Sequence, residues 1–545
     1  MKKNLLALFL LFTFVFQSSV VAQTATKASS ASRKAAETIT AAQLKDYLYF
    51  VASDEMEGRN TPSRGLDITA KFMATMLSRW GFKPAGDDGT FFQKMALVRN
   101  QVNPEKAQLD INGQKMVYGT DFLADAVSGQ MNAPLVFGGN GWLVKSKNLD
   151  PLKDMDVRGK TVVVYSDNFP RGMNFNDLRA AGKQGEDWAD PQTYVRQKGA
   201  TGLIIVSAPT VLAGWENLRR FREQGRLGVE KLRESTPLPT LYLNEKAAEA
   251  LLNGETANFA AVKENYQSNA PLNAFNFNAD KKVNFSVEAE REVTMTQNVV
   301  ALWGGSDPQL KAEMVAVGAH YDHDGINVNE QGADKIWNGA DDDGSGTVAV
   351  LAIGEALAKA SKRPKRSVLL VWHAGEEKGL WGSEYFNKFP TVNIKNVVAQ
   401  LNIDMIGRSR KPDDANPKNK DLSGESEVYV IGSEMMSSKL GAVTKSVNDS
   451  FLKLNYNYKY DDPKDTNRFF FRSDHYSYAV NGIPIVFWFD GVHEDYHQAS
   501  DHADKIDYAK MEKITRTIFL TLWEIGELST RPAVDKQLPP ELTRR

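Results

Sequence analysis

The chain contains seven histidines, and every one of them lies beyond residue 319. They are His320, His323, His373, His475, His493, His497 and His502. The same region holds the sequence NGADDDGSG, in which Asp341, Asp342 and Asp343 are consecutive and no Lys or Arg is present. A divalent cation is the simplest partner for so many carboxylates. Imidazole combined with carboxylate favours zinc or a related transition metal.

A calcium-binding loop is the alternative interpretation of the aspartate run. Such loops place their ligands at alternate positions before a glycine and end in a bidentate glutamate. The three aspartates are consecutive instead, and no glutamate follows at the required distance. The pattern therefore favours a transition metal over calcium.

Four polar features begin where an apolar run ends. GAHYDH follows MVAV, GEEKG follows SVLLVWHA, NIDMIG follows VVAQL, and DGVHEDYHQASDH follows IPIVFWF. Each feature alone is more typical of a turn or a surface pair. Ligands of open α/β sheets bind beyond the carboxyl ends of the strands, so we expect the four features to meet in one site.

Apolar strands that alternate with helical patterns position these features. From residue 285 to residue 527 this alternation predicts an α/β fold, a three-layer sandwich around a mostly parallel sheet. Residues 40–124 begin with two helical patterns and form the N-terminal part of the same domain. Short apolar runs between turn residues predict an inserted, mainly β domain over residues 125–284, with one charged helical insertion. We expect residues 23–39 to be a spacer and residues 528–545 to be an exposed tail.

The first 22 residues have the pattern of a secretory signal peptide. They contain lysines near the start, an apolar run from Leu5 to Phe16, and small residues that end at Ala22. No other apolar stretch is long enough to span a bilayer, so we expect a periplasmic or extracellular protein without a membrane anchor. The absence of cysteine excludes thiol catalysis, disulfides and cysteine-zinc sites. A formal net charge of -2 gives no reason to expect a nucleic acid partner.

Five motifs in this order give the chain a specific resemblance. GAHYDH, NGADDDGSG, GEEKGLWGS, NIDMIG and YHQASD resemble those of the co-catalytic di-zinc aminopeptidases, a family that also includes aminopeptidase Y and glutamate carboxypeptidase. The resemblance covers roughly residues 40–527 and implies the phosphorylase/hydrolase-like fold of zinc exopeptidases. The insert is similar to the protease-associated (PA) domain of many members.

The resemblance implies two zinc ions and their ligands. One ion would be held by His320 and Asp404, the other by Glu377 and His497, and Asp342 would bridge the two. The family usually has Asn at the position of Asp341. The ligand types leave manganese and cobalt open as alternative metals.

Further roles follow from the same resemblance. Glu376 is the expected general base, which activates a water between the metals, since adjacent residues at a strand end point in different directions. Asp322 is the carboxylate expected to orient His320, and Tyr496 the expected donor to the oxyanion. From spacing alone, Asp501 is a candidate to orient His497.

The remaining assignments concern the substrate and the other histidines. The sequence FFRSDHYSY is similar to a substrate-side loop of the family, which makes Arg472, Ser473, Asp474 and His475 candidates for the pocket. We expect His323, His493 and His502 to be exposed and His373 to cap a strand.

The sequence therefore predicts a secreted, zinc-dependent exopeptidase that removes N-terminal residues from peptides. A carboxypeptidase, a dipeptidase and a glutaminyl cyclase share the metal cluster and remain alternatives on the same fold. A non-catalytic binding protein is a third possibility, although no expected ligand is missing. Peptides are the expected partners, and the sequence predicts neither the oligomeric state nor the preferred side chain.

Overall fold

The structure is a computed structural model that describes residues 28–233 and 238–543. The predicted signal peptide, residues 1–22, lies outside the described residues. The helices of the described residues are α1 Ser30–Ala36, α2 Ala41–Val51, α3 Arg64–Arg79, α4 Phe175–Ala181, α5 Pro191–Gln197, α6 Pro209–Ala213, α7 Trp215–Gln224, α8 Glu245–Leu252, α9 Phe259–Ser268, α10 Gly346–Lys359, α11 Trp381–Lys388, α12 Ser438–Ser450, α13 His475–Val480 and α14 Tyr508–Glu527.

The strands of the described residues are β1 Lys83–Pro84, β2 Phe92–Val102, β3 Gln108–Ile111, β4 Gln114–Met116, β5 Phe122–Ala124, β6 Gly129–Met131, β7 Leu135–Phe137, β8 Leu143–Val144, β9 Thr161–Ser166, β10 Trp188–Ala189, β11 Gly202–Ser207, β12 Arg226–Val229, β13 Thr240–Leu243, β14 Phe275–Asn276, β15 Val283–Val287, β16 Ala289–Trp303, β17 Met314–His320, β18 Gly325–Ile326, β19 Ile336–Trp337, β20 Ser367–His373, β21 Val397–Ile403, β22 Glu427–Ile431, β23 Asn455–Asn457 and β24 Ile485–Phe489.

The main sheet has a parallel centre and antiparallel flanks. Its order is β12-β2-β16-β20-β17-β21-β24-β22-β23, with β1 paired to β16. The four central strands β20, β17, β21 and β24 run parallel. The neighbours on both sides, β16 and β22, join them antiparallel. The α/β class is confirmed, but the sheet is mixed rather than mostly parallel, because the long β2–β16 ladder adds antiparallel strands that the sequence pattern did not separate.

Helices cover both faces of this sheet, which confirms the three layers. Along β20, Val368, Leu370 and Trp372 enter the core beneath α2, α3, α10 and α14. The alternate residues Leu369 and Val371 enter a second core with α11 and α13. Successive side chains of a strand point to opposite faces, so a strand covered on both sides is apolar throughout.

The predicted insert contains both strands and helices. A six-stranded sheet, β14-β7-β9-β11-β13-β5, packs near a four-stranded one, β4-β3-β15-β6. Helices α4 to α9 also lie within residues 125–284, so this unit is an α/β unit rather than a mainly β one. The charged helical insertion corresponds to α7. Strands β3 and β4 lie before residue 125 and pair with each other, and β3 also pairs with β15. Strand β12 leaves the insert and joins the main sheet.

Both ends of the described chain have more buried residues and contacts than the sequence suggested. The predicted spacer, residues 23–39, contains α1, whose Ala35 and Ala36 are buried in the main core. In the tail, residues 528–545, most described positions are exposed as expected, but Leu542 is buried and Arg531 pairs with Glu313. Among the residues that the structure describes, no helix has both the length and the apolar character needed to cross a membrane.

Candidate metal centre and catalytic site

Parallel strand ends bring the predicted residues together. His320 is the last residue of β17, Asp404 follows β21, and Glu376 and Glu377 follow β20 by a short turn. His497 lies in the loop after β24. Because these four strands are parallel neighbours, their carboxyl ends share one edge of the sheet. The convergence follows directly from the topology.

One group of possible ligands contains His320, Asp342 and Asp404. His320 Nε2 lies 3.2 Å from Asp342 Oδ1 and 3.7 Å from Asp404 Oδ2. One donor atom from each of the three residues lies within 4.8 Å of the others. All three residues are buried. Imidazole with two carboxylates suits zinc, and this spacing fits a single ion.

Asp342 also belongs to a second group. Its Oδ2 lies 3.1 Å from His497 Nε2, which is 3.2 Å from Glu377 Oε2. A donor atom of His323 also lies within 4.8 Å of atoms from Asp342 and Glu377. The two oxygens of Asp342 therefore face different groups, which is the arrangement of a bridging carboxylate.

His323 is a member of the second group that sequence reasoning missed. We expected it to be exposed, but it is fully buried, and its Nδ1 lies 2.8 Å from Glu377 Oε1. The prediction was wrong because β17 ends at His320 and the chain then turns inward, with the His323 amide donating to the Arg59 carbonyl. The DH that follows GAHY was the only sequence signal for it.

The charges of the bridge depend on the neighbouring imidazoles. Burial alone would raise the pKa of Asp342, but contacts with His320 and His497 outweigh burial and hold it well below its usual value. Burial and Asp342 likewise raise the pKa of Glu377, yet His323 and His497 lower it to about 2. Both carboxylates are therefore ionised at neutral pH, the form in which a carboxylate binds a metal.

Glu376 faces the cleft between the two groups. A pocket with about 350 Å³ of open space is lined by Glu376, members of both groups and several apolar side chains. Burial, reinforced by the nearby carboxylate of Glu377, raises the pKa of Glu376 well above its usual value, against the opposing effect of His320. Asp322 Oδ1 accepts a hydrogen bond of 3.1 Å from the Glu376 amide.

Asp322 therefore contacts both Glu376 and His320. Its Oδ1 lies 3.7 Å from His320 Nδ1, while its backbone carbonyl is 3.1 Å from the same nitrogen. The orienting contact to His320 thus comes from the backbone at the shorter distance. The carboxylate holds the turn that carries Glu376.

Tyr496 and Arg472 line the same pocket. Arg472 is exposed, and its Nη2 donates to the Tyr496 hydroxyl oxygen at 3.2 Å. The Tyr496 ring stacks on His497, with 4.0 Å between the ring centres. Since Arg472 occupies an acceptor position of that oxygen, the Tyr496 hydroxyl hydrogen is available to a substrate.

The other predicted pocket residues lie behind the site. Ser473, Asp474 and His475 are fully buried and do not line the pocket. Ser473 Oγ accepts from Asn402. Burial raises the pKa of the Asp404 carboxyl, and a hydrogen bond with Ser473 opposes that rise only in part. Asp474 lies 3.2 Å from His373 Nδ1, and His475 stacks on Phe487. The prediction of pocket positions was wrong for these three because they lie at or just before the start of α13, where all three side chains are buried.

Asp501 and Asp343 fix the loop that carries the bridge. Asp501 Oδ2 accepts the amides of Asp341 at 2.9 Å and Asp342 at 3.2 Å, and is not among the contacts of His497. The spacing argument that linked Asp501 to His497 was therefore wrong. Asp343 Oδ1 accepts from the Met405 and Gly346 amides, and its Oδ2 accepts from the His320 amide.

Two further side chains, Arg59 and His493, complete the support. Arg59 is fully buried and donates to the carbonyls of Tyr321, Asn338 and Gly339, which flank the ligands. His493, expected to be exposed, is buried against Asp341. No motif in the sequence marked Arg59. His502 is partly exposed, as expected, and pairs with Asp334 at the surface.

The mixed α/β sandwich with two groups of ligands around one carboxylate defines this part of the chain as a candidate metallohydrolase. Residues 298–522 match the model of Peptidase family M28. The match is therefore centred on the strands and loops that supply the site.

Similar proteins carry related names. A probable leucine aminopeptidase of Arthroderma otae is 29% identical over 228 residues, which are 40% of this chain and 56% of that protein. A probable zinc metalloprotease of Leptosphaeria maculans is 26% identical over 263 residues, 43% of this chain and 58% of that protein. The chain thus spans little more than half the length of these curated relatives. Among solved structures, an aminopeptidase from Aneurinibacillus is 15% identical, with a TM-score of 0.48 over 93% of this chain and 98% of that one.

Proposed function

We propose that this chain is an exported, zinc-dependent exopeptidase that removes residues from the N-termini of peptides. The observation that carries the proposal is the position of Asp342 between two groups of ligands. Its Oδ1 lies 3.2 Å from His320, and its Oδ2 lies 3.1 Å from His497. The match of residues 298–522 to the model of Peptidase family M28 supports a peptidase, and the names of the relatives support an aminopeptidase.

The ligand set that we propose has five residues. His320 and Asp404 would hold one zinc ion, Glu377 and His497 would hold the other, and Asp342 would serve both. When all are ionised, the three ligand carboxylates and Glu376 together carry four negative charges, which would balance two divalent cations. Zinc bound here would lower the pKa of a water molecule and polarise the scissile carbonyl.

The protein's own groups perform the proton transfers and the positioning. Glu376 takes a proton from the attacking water and passes it to the leaving amine. Tyr496 donates its hydroxyl hydrogen to the substrate oxygen on which negative charge develops. Arg472 donates a hydrogen bond to the oxygen of the same hydroxyl. Asp322 holds the Glu376 amide and so fixes the direction of the base.

A first experiment tests metal dependence and the class of substrate. The purified protein is expected to hydrolyse leucine arylamide, to lose this activity on thorough chelation, and to recover it with zinc. Turnover that survives complete metal removal would contradict the metal assignment. A metal-loaded protein that binds peptides without cleaving them would instead indicate a binding protein.

A carboxypeptidase is the second candidate, and Arg472 is the observation that favours it. An exposed guanidinium at the mouth of the pocket could pair with the terminal carboxylate of a substrate. Peptides blocked at either end distinguish the two reactions, and end analysis of the products also detects a dipeptidase or a glutaminyl cyclase. An aminopeptidase is expected to leave N-acetylated peptides intact and to cleave C-terminally amidated ones.

A further inference from the structure

A second, larger cleft lies beside the metal centre. It has about 1700 Å³ of open space, and β12 of the main sheet forms one wall. Phe221 and Arg222 of α7, together with Tyr242 of β13, form the wall on the insert side. Lys378 and Trp381, which follow Glu377 in sequence, form the wall nearest the metal centre.

Strand β12 offers an open edge to this cleft. It has four residues, Arg226–Val229, and it stands at the end of the main sheet. Among the described strands, β12 pairs only with β2, through an antiparallel ladder. Half of the backbone groups of such an edge strand point away from its partner, and an extended peptide can satisfy them by adding one more strand.

The charges of the cleft favour an acidic occupant. Its lining contains four cationic side chains, Arg222, Arg226, Arg233 and Lys378, against the two carboxylates of Asp125 and Glu384. Both carboxylates already have partners, Arg222 at 2.8 Å and Lys388 at 2.7 Å. Arg226 is exposed, and no ion pair or side-chain hydrogen bond engages its guanidinium within the part of the chain that the structure describes.

Lys378 connects the cleft with the metal centre. Its ammonium lies 3.4 Å from Asp324 Oδ1, and Asp324 Oδ2 lies 3.6 Å from His497 Nδ1. The cleft therefore begins one residue after the ligand Glu377.

We propose that this cleft binds the part of a peptide substrate that follows the scissile bond. The segment adds as a strand to the open edge of β12, and Arg226 pairs with an acidic side chain or with the terminal carboxylate of the substrate. This inference rests on the proposed peptidase function and deepens it. It makes the enzyme selective for extended peptides with acidic residues beyond the cleaved bond.

The test compares a short substrate, which cannot reach the cleft, with a long acidic one. In the Arg226→Glu variant, the KM for a leucine-initiated acidic hexapeptide is expected to rise about tenfold, the effect of losing one charge-assisted contact. Hydrolysis of leucine arylamide is expected to stay unchanged. Arg158→Glu, an exposed arginine of the insert outside this cleft, is the matched control and should alter neither reaction.

A binding measurement separates failure of this inference from failure of the proposed function. The Glu376→Gln variant is titrated with the same hexapeptide, with and without Arg226→Glu. We expect about a tenfold weaker Kd in the double variant. N-methylation of alternate residues beyond the first should weaken binding with a period of two. Equal Kd values, or no such period, would overturn the inference even if leucine arylamide is hydrolysed. Failure of every hydrolysis assay would contradict the proposed peptidase function, whereas the binding measurement would still test the cleft.

Discussion

Asp341 and His493 form a fully buried pair, with Asp341 Oδ2 lying 3.1 Å from His493 Nε2. The second oxygen of Asp341, Oδ1, accepts the Gly407 amide at 2.7 Å. Both the Asp495 amide and Arg408 Nη1 lie within hydrogen-bonding distance of His493 Nδ1 as donors. His493 therefore carries its proton on Nε2, the nitrogen that lies at ion-pair distance from the Asp341 carboxylate. Asp341 carries a negative charge that the Asn usual in the family would lack, and this charge faces His493.

Asp341→Asn is expected to destabilise the fold without removing the metals. If the new amide oxygen keeps the Gly407 contact, its NH2 group faces the N–H of His493, so two donors oppose each other. The free energy of unfolding should fall by about 1–3 kcal/mol, the cost of an unsatisfied buried group. Urea unfolding and zinc analysis measure the two effects.

Asp334→Asn, which breaks the exposed pair with His502, is the matched control and should change stability little. Loss of zinc from Asp341→Asn at unchanged stability would refute this assignment.

Asp501→Ala is expected to weaken metal binding by about 10- to 100-fold, the usual effect of losing a group that orients a ligand. The carboxylate accepts two successive amides of the loop, at Asp341 and Asp342, so its loss frees the bridging residue. Competition with a chelator measures zinc affinity. Asp504→Ala, an exposed change three residues away, provides the comparison. Equal zinc affinity for Asp501→Ala and the unaltered protein would show that the loop is fixed by other contacts.

Tyr496→Phe is expected to lower kcat about 100-fold and to change KM much less, as for the loss of one oxyanion donor. Arg472→Ala should have a smaller effect, because Arg472 contacts the hydroxyl oxygen rather than the reacting atoms. Steady-state kinetics with leucine arylamide measure both. An unchanged kcat in the Tyr496→Phe variant would show that Tyr496 has no part in the mechanism. Tyr49→Phe, at an exposed position, is the control for nonspecific effects.

Asp461 gives a pH dependence of stability that is separate from the metal centre. Burial raises its pKa to about 7, and the hydrogen bond from the Gly432 amide offsets this only in part. The folded protein therefore holds this proton more tightly than the unfolded chain. The corresponding stability is present below about pH 4, the ordinary carboxyl pKa, and is lost as the pH rises through about 7.

Asp461→Asn should remove that loss. We expect its unfolding free energy to decrease less between pH 5 and pH 8 than that of the unaltered protein, as measured by urea unfolding at both values. Asp462→Asn is the neighbouring control at a position with little burial. An identical pH dependence for the unaltered protein and Asp461→Asn would contradict the assignment.

The sequence predicted the convergence of the site because strand ends can be located from apolar runs. His320, Glu377 and Asp404 each follow such a run directly, and parallel neighbours place these ends at one edge. The family resemblance implied that Asp342 lies between the two groups of possible ligands. In the structure its carboxylate lies close to His320 of one group and His497 of the other. The roles of these residues stay predictions until the variants are measured.

Contacts between distant segments were beyond the reach of the sequence. His323 and His493 lie in polar stretches that are typical of surface loops, but the loops turn inward and bury both side chains. Arg59 lies more than 250 residues before the carbonyls of Asn338 and Gly339 that it holds, and no local pattern marks such a pairing. The helices of the insert were missed for a different reason, because segments such as α5 and α8 are only about two turns long, too short for the helical period to be recognised.

The most direct test of the account is the Glu376→Gln variant, assayed with leucine arylamide and analysed for zinc. Glutamine keeps the size of the side chain but cannot accept the proton of the attacking water. We predict a fall in kcat of about 100- to 10,000-fold with zinc content equal to that of the unaltered protein. Hydrolysis at the unaltered rate, in protein with its full zinc content, would contradict the role of Glu376 and with it the proposed mechanism.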